Sequence, residues 1–227
     1  MPPSPGDVVR VSTAANIVAA VRGMVSGRTV VIEAGEYELP ATLHLTGGLR
    51  DVGIRGATGN AGDVVLRGPG MGARGGPVPH GVLIGDAQDV LVADLTIRDV
   101  PYHAVQIQGE QGAQRVRLYD LHLVDAGEQF VKVSTAGPPG PYSDDGIVAC
   151  STMEYTDRAP SYYTNGVDVL AGRGWTVRDN VFRRIRAPAG QLAGPAVLMW
   201  RNSIDSVVEG NLFLECDRGI ALGLAAP

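Results

Sequence analysis

The chain has 227 residues, room for one domain or two small ones. Apolar residues make up 44 % and charged residues 19 %, a balance that buries a real core and excludes a disordered chain. The net charge of −5 excludes a bulk basic face, so no nucleic-acid partner is expected, and no apolar run is long enough to cross a bilayer.

In chain order, the first element is a helix over residues 13–25. Thr13 stands at its N-cap, and Ile17, Val21 and Met24 share one face. This gives an N-terminal segment, 1–28, whose helix plugs one end of a β domain spanning 29–227. In that domain the pattern is β throughout. Val30–Ile32, Leu43–Leu45, Val52–Ile54 and Val64–Leu66 come first, with irregular spacing. Five longer segments then align by their apolar and polar pattern: Val92–Ile97, Leu118–Leu123, Val148–Met153, Val177–Phe182 and Val208–Phe213. Their first residues are 26, 30, 29 and 31 positions apart.

A short second strand follows each segment: Val105–Ile107, Val131–Val133, Val167–Val169, Val197–Met199 and Ile220–Leu222. Val82–Ile84 occupies the same column one turn earlier. Each alternates apolar and variable positions, so one face points inward. Repeats of this length without helices or tight hairpin turns fit neither a helical solenoid nor a hairpin sandwich. Stacking them buries the apolar columns in one cylinder. The column Leu95, Leu121, Ser151, Asn180 and Asn211 ends in residues able to form a side-chain ladder. Two cysteines, Cys150 and Cys216, are too few for a disulfide scaffold and read as buried free thiols.

The runs Val208-Glu-Gly-Asn-Leu-Phe213 and Val177-Arg-Asp-Asn-Val-Phe182 resemble the V-x-x-N-x-F coil of the pectate lyase-like right-handed parallel β-helix superfamily. The opening stretch 29–45 (TVVIEAGEYELPATLHL) resembles its usual first coil. The resemblance implies an all-β, single-stranded right-handed parallel β-helix with an N-terminal capping helix. It implies a secreted or periplasmic protein, although residues 1–13 lack the features of a signal peptide. The chain stops just after a core strand. This suggests an uncapped C-terminal end, from missing coils or a covering partner, through which self-association is expected.

The residues between the inward positions of the second strands should face solvent: Leu83, Gln106, Lys132, Asp168, Leu198 and Ala221. Gln106, Lys132 and Asp168 then form a vertical polar row. His80, His103, Gln129 and Asn165 stack at the entry to the same strands. The interval from Val131 to Val167 carries two extensions, 134–144 and 155–165, which flank the row and supply Tyr142, Arg158, Tyr162 and Tyr163. Lys132 is the single lysine among 19 basic residues, and only lysine readily becomes a neutral amine base. Against that, Lys132 beside Asp168 also reads as a plain cross-strand ion pair.

The superfamily resemblance implies an acidic, uronate-containing polysaccharide as partner, and β-elimination or epimerisation as the reaction. That chemistry needs a neutralised carboxylate, a base and an acid. Lys132 is the expected base and Arg186 or Arg184 the neutraliser, with Tyr163 or His103 as second acid–base group. Gln106, Asp168, Asn165, Tyr162, Arg158 and Arg184 are the expected substrate contacts. Glu128 and Asp168, with Asn165, are the expected oxygen ligands if Ca²⁺ serves as cofactor. Two other readings stand beside the lyase: a non-catalytic carbohydrate-binding or adhesin-type β-helix, and an inverting glycoside hydrolase using Asp144 or Asp168. The pair Asp144-Asp145, followed by Gly146, reads more simply as a turn.

Overall fold

The computed structural model describes residues 6–223. Residues 1–5 of the N-terminal segment and 224–227 at the end of the chain lie outside the described residues. Short strands wind in successive coils and pair in parallel with the coils before and after, in one 13-stranded and one 7-stranded sheet. The molecule is the parallel β-helix that the repeat predicts.

The larger sheet folds into two faces, the first carrying strands such as Thr176–Arg178 and the second strands such as Val181–Arg183. Each long segment that the sequence pattern presents as one strand crosses the bend between them. At that bend the backbone turns through a residue in the left-handed region: Asp94, Asp120, Cys150, Asp179 and Gly210, with φ of 57, 48, 53, 56 and 62°. In three coils the turn splits the segment outright, as in Thr176–Arg178 and Val181–Arg183. Asp tolerates this conformation and Gly adopts it freely. Cys150 holds it too, which brings that thiol to the surface instead of the interior; both thiols are free.

The residue after each bend points inward and builds the ladder. The Leu121 amide donates to Ser151 Oγ, the Ser151 amide to Asn180 Oδ1, and the Asn180 amide to Asn211 Oδ1, each at 3.0 Å. Asn180 Nδ2 and Asn211 Nδ2 donate to the carbonyls of Val148 and Val177 at 2.9 and 2.8 Å. Each amide thus satisfies backbone groups that the bend removes from the sheet, a net gain of about 1 kcal/mol per bond.

The third face is the 7-stranded sheet: Leu43–Leu45, Val82–Ile84, Val105–Gln108, Val131–Ser134, Val167–Leu170, Val197–Trp200 and Ile220–Leu222. Its register pairs Val131 with Val105 and with Val167, and Val167 with Val197. Those valines are fully buried, stacked as one column of the core. Gly166 lies in the column beside them, where an added Cβ would come within 2.5 Å of the Phe182 ring. Phe182 in turn stacks on Phe213, with centroids 5.2 Å apart.

A helix, α1, spans Ala14–Arg22, and Thr13 caps it by accepting the Asn16 amide at 3.2 Å. Ile17 and Val21 are buried against the first coils. A strand ahead of it, Asp7–Val11, pairs with Arg28–Ile32. Only Val11 of that strand is buried, so its sequence carries no inward alternation. In the last described coil Val207, Leu212, Ile220 and Leu222 are exposed.

Replacing Phe182 with Ala removes one member of the stacked pair and leaves a cavity in the column. The variant should lose about 3–5 kcal/mol of stability in urea titration. Tyr162→Ala, at an exposed loop position, should leave the transition unchanged.

Candidate functional site

The register of the third face brings Gln106, Lys132 and Asp168 into one vertical row, with Lys132 paired to both neighbours. The expectation that these side chains lie open to solvent is corrected. Gln106, Lys132 and Asp168 are 6, 9 and 2 % exposed. Trp200, whose ring centroid lies 5.8 Å from Lys132 Nζ, is one covering group, and neighbours answer the row's polar atoms. Lys132 Nζ donates to Asp168 Oδ2 at 2.8 Å, and Trp200 Nε1 donates to Asp168 Oδ1 at 2.9 Å. Gln106 turns the other way. Its Nε2 donates to Ser134 Oγ at 2.9 Å, and that hydroxyl sits 2.9 Å from both Glu110 oxygens. A buried, doubly satisfied carboxylate beside an ammonium is a fixed element of structure as well as of charge.

Behind the row, at the entry to the same strands, the column His80, His103, Gln129, Asn165 stacks as the sequence pattern predicts. The two imidazoles lie parallel with centroids 5.0 Å apart. Asn165 Nδ2 donates to the Pro195 carbonyl at 2.8 Å. Glu128 joins this layer: Arg74 Nη2 lies 3.1 Å from its Oε1, and His103 Nε2 lies 4.0 Å from its Oε2. Burial pushes His103 down to about 3, with His80 and then Lys132 adding to the effect. Burial, with His44 behind it, pushes His80 down to about 4. Burial raises the Glu128 carboxyl, against the opposing field of Arg74.

The two loops lie on opposite flanks of the third face. The loop after Val131–Ser134 runs to the turn entering the first face, where the Ser143 carbonyl accepts Trp175 Nε1–H at 2.7 Å. Asp144 Oδ1 accepts the Arg173 amide at 2.9 Å and Asp145 has φ 55°, so this pair is a turn. The loop 155–165 enters the third face. It is anchored by Tyr155, fully buried, whose hydroxyl donates to the Ala126 carbonyl at 2.7 Å. Beyond that anchor Tyr162 and Tyr163 are 62 and 51 % exposed.

These tyrosines, Asn165 and Asp168 line one pocket of about 180 Å³, with Leu192, Trp200 and Arg218 closing it. Sequence reasoning alone misses the last three. Trp200 is the outward residue three positions after Val197 in the same strand column, and is legible there. Leu192 and Arg218 arrive on loops of later coils, with no pattern to mark them.

The expected arginines stand apart from the row. Arg184 Nε donates to the Tyr155 carbonyl at 2.6 Å and its Nη2 to Glu154 at 3.1 Å. Arg158 Nη1 donates to the Ala187 carbonyl at 3.0 Å. Arg186, half-buried, accepts the Ala159 amide with its carbonyl. All three brace the loop between the second and third faces. The expected calcium ligands do not fit that ion: Glu128 is engaged by Arg74, and both Asp168 oxygens already accept hydrogen bonds. Among the described residues no group of three or more His, Cys, Asp or Glu gathers to hold a metal.

The fold and this site define a parallel β-helix with a polar row on its third face. Neither a known family model nor a curated protein matches the sequence. Solved structures do match the fold. The chain is similar to an alginate lyase from Paenibacillus sp. str. FPU-7, with TM-score 0.58 and 14 % identity over 92 % of this chain and 76 % of that one. It is similar to a pectin methylesterase from Erwinia chrysanthemi, with TM-score 0.54 and 14 % identity over 91 % and 67 %. It is also similar to a pectate lyase variant from Xanthomonas campestris, with TM-score 0.53 and 18 % identity over 96 % and 68 %. The chain therefore shares the parallel β-helix fold of these proteins. No helix among the described residues is long and apolar enough to cross a membrane.

The buried imidazoles set a pH dependence. Their folded values lie below the ordinary 6.5, so as pH falls the unfolded chain takes up protons first. Stability from this source is complete above about pH 6.5 and is lost as the pH falls toward 4 and 3. Glu128, raised by burial, works in the opposite sense. Thermal melts of His103→Gln should lose less stability than wild type between pH 7 and pH 4.

Proposed function

We propose that this protein acts on an acidic, uronate-containing polysaccharide, with β-elimination as the reaction. The observation that carries the reading is a pocket floored by Asp168, which Lys132 holds in place from behind, and walled by exposed Tyr162 and Tyr163. Aromatic faces stack on sugar rings while their hydroxyls reach the ring edge, and a concave site with few convergent polar groups is the usual form of a binding pocket.

In β-elimination the carboxylate of the uronate is neutralised, a base takes the α proton, and the 4-O-linked sugar leaves with a proton. In this proposal the tasks divide among the pocket residues. Lys132 donates to Asp168, so its charge is matched by that carboxylate and it is not free to remove a proton. Tyr163, half exposed at the pocket wall, would take the α proton as its phenolate and, as the resulting phenol, return that proton to the leaving 4-oxygen. His103 is buried behind the row and acts on its surroundings, not on substrate. Arg158 and Arg184, two of the arginines expected to meet substrate, are committed to loop carbonyls and Glu154, which leaves the neutralising charge to the pocket's own cation.

One observation favours a second reading, a carbohydrate-binding β-helix without catalysis. Lys132 and Asp168 neutralise one another and are largely closed to solvent, so the row is as well suited to shaping a pocket as to chemistry. Glycan binding without product is its signature.

Incubation with pectate, alginate and glycosaminoglycans, with and without added Ca²⁺, distinguishes the two. The lyase reading expects ultraviolet absorbance from an unsaturated uronate with at least one substrate, lowered about 10²-fold or more in Tyr163→Phe. No unsaturated product from any acidic glycan contradicts it.

A further inference from the structure

Each charged or amide side chain lining the pocket already has an internal partner, with one exception. Asp168 accepts from Lys132 and from Trp200, and Asn165 donates to the Pro195 carbonyl. Arg218 is exposed at the rim, on the turn that leads into Ile220–Leu222. Among the described residues its guanidinium makes no hydrogen bond or ion pair. The Lys132 ammonium cancels the Asp168 carboxylate, so the net charge offered to the pocket is that of Arg218. Arg201, stacked on Trp200 at 4.8 Å, adds a second cation at the neighbouring edge. This local sign opposes the net charge of −5 of the whole chain.

From this arrangement we infer that Arg218 is the specificity-determining residue of the pocket, pairing with the carboxylate of a hexuronate unit whose ring packs against Tyr162 and Tyr163. A planar guanidinium offers two parallel N–H donors to a carboxylate, a geometry that a neutral hexose cannot use. The inference rests on the polysaccharide reading above and deepens it, because it names the charged group that selects the sugar.

Trp200 supplies the readout. Trp175 is fully buried, with its indole N–H bonded to the Ser143 carbonyl, whereas Trp200 is half-buried and lines the pocket. Tryptophan fluorescence of the whole chain is titrated with a hexuronate oligosaccharide and with the same oligosaccharide after reduction of its carboxyl groups. Wild type should bind the charged form more tightly. Arg218→Gln should weaken binding of the charged form by about tenfold or more, leave the reduced form unchanged, and melt at the wild-type temperature. Arg218→Lys should recover part of the preference. Equal preference for the charged form in Arg218→Gln and wild type overturns the role of Arg218 and leaves the polysaccharide reading standing. A wild type that binds both forms alike overturns the acidic class. Binding of neither form overturns the polysaccharide reading and this inference with it.

Discussion

Every feature of this molecule depends on the parallel register between successive coils. Backbone hydrogen bonds fix Val131 against Val105 and Val167, and because side chains alternate faces with period two, a slip of one residue would turn each strand inside out. The register is held from within by columns of fully buried valine, isoleucine, leucine and phenylalanine. At the bend it is held by the Ser151–Asn180–Asn211 ladder, where each side chain bonds the coil before it. The same constraint that stacks Phe182 on Phe213 in the core stacks Gln106, Lys132 and Asp168 outside it. Core and site are two sides of one strand set.

That arrangement explains why a charged pair can be tolerated with so little solvent. A lone buried carboxylate or ammonium would be strongly destabilising. Here the rung spacing supplies the partner without any loop having to find it, and Trp200, one rung above Asp168, completes the carboxylate's hydrogen bonding. The loops at 134–144 and 155–165 then differ in task. The first ties into the turn toward the first face through Ser143 and Trp175. The second is pinned by buried Tyr155 and leaves Tyr162 and Tyr163 free for contact.

The fold is largely legible in the sequence because its signals are periodic. The second-strand columns, the Asn ladder and the capping helix all repeat or follow local rules. What escapes leaves no mark in the apolar period. Asp7–Val11 buries one side chain and shows no alternation. The bend of each long segment escapes as well: its one left-handed residue recurs in every coil but leaves little trace in an apolar pattern. At the site, the sequence identifies the vertical row but misjudges its exposure, since alternation tells which way a side chain leaves the sheet and not what later covers it. It assigns Arg184 and Arg158 to substrate, whereas nearby carbonyls claim both. It misses Arg218 because a loop residue one or two coils away in sequence joins the pocket only through the stacking.

The most direct test of the proposed site is a crystal structure of the protein with a bound hexuronate oligosaccharide. Sugar density is expected between Tyr162, Tyr163 and Trp200, above an intact Lys132–Asp168 pair, with a carboxylate turned toward Arg218. Density on the first or second face, with the pocket empty, would contradict it.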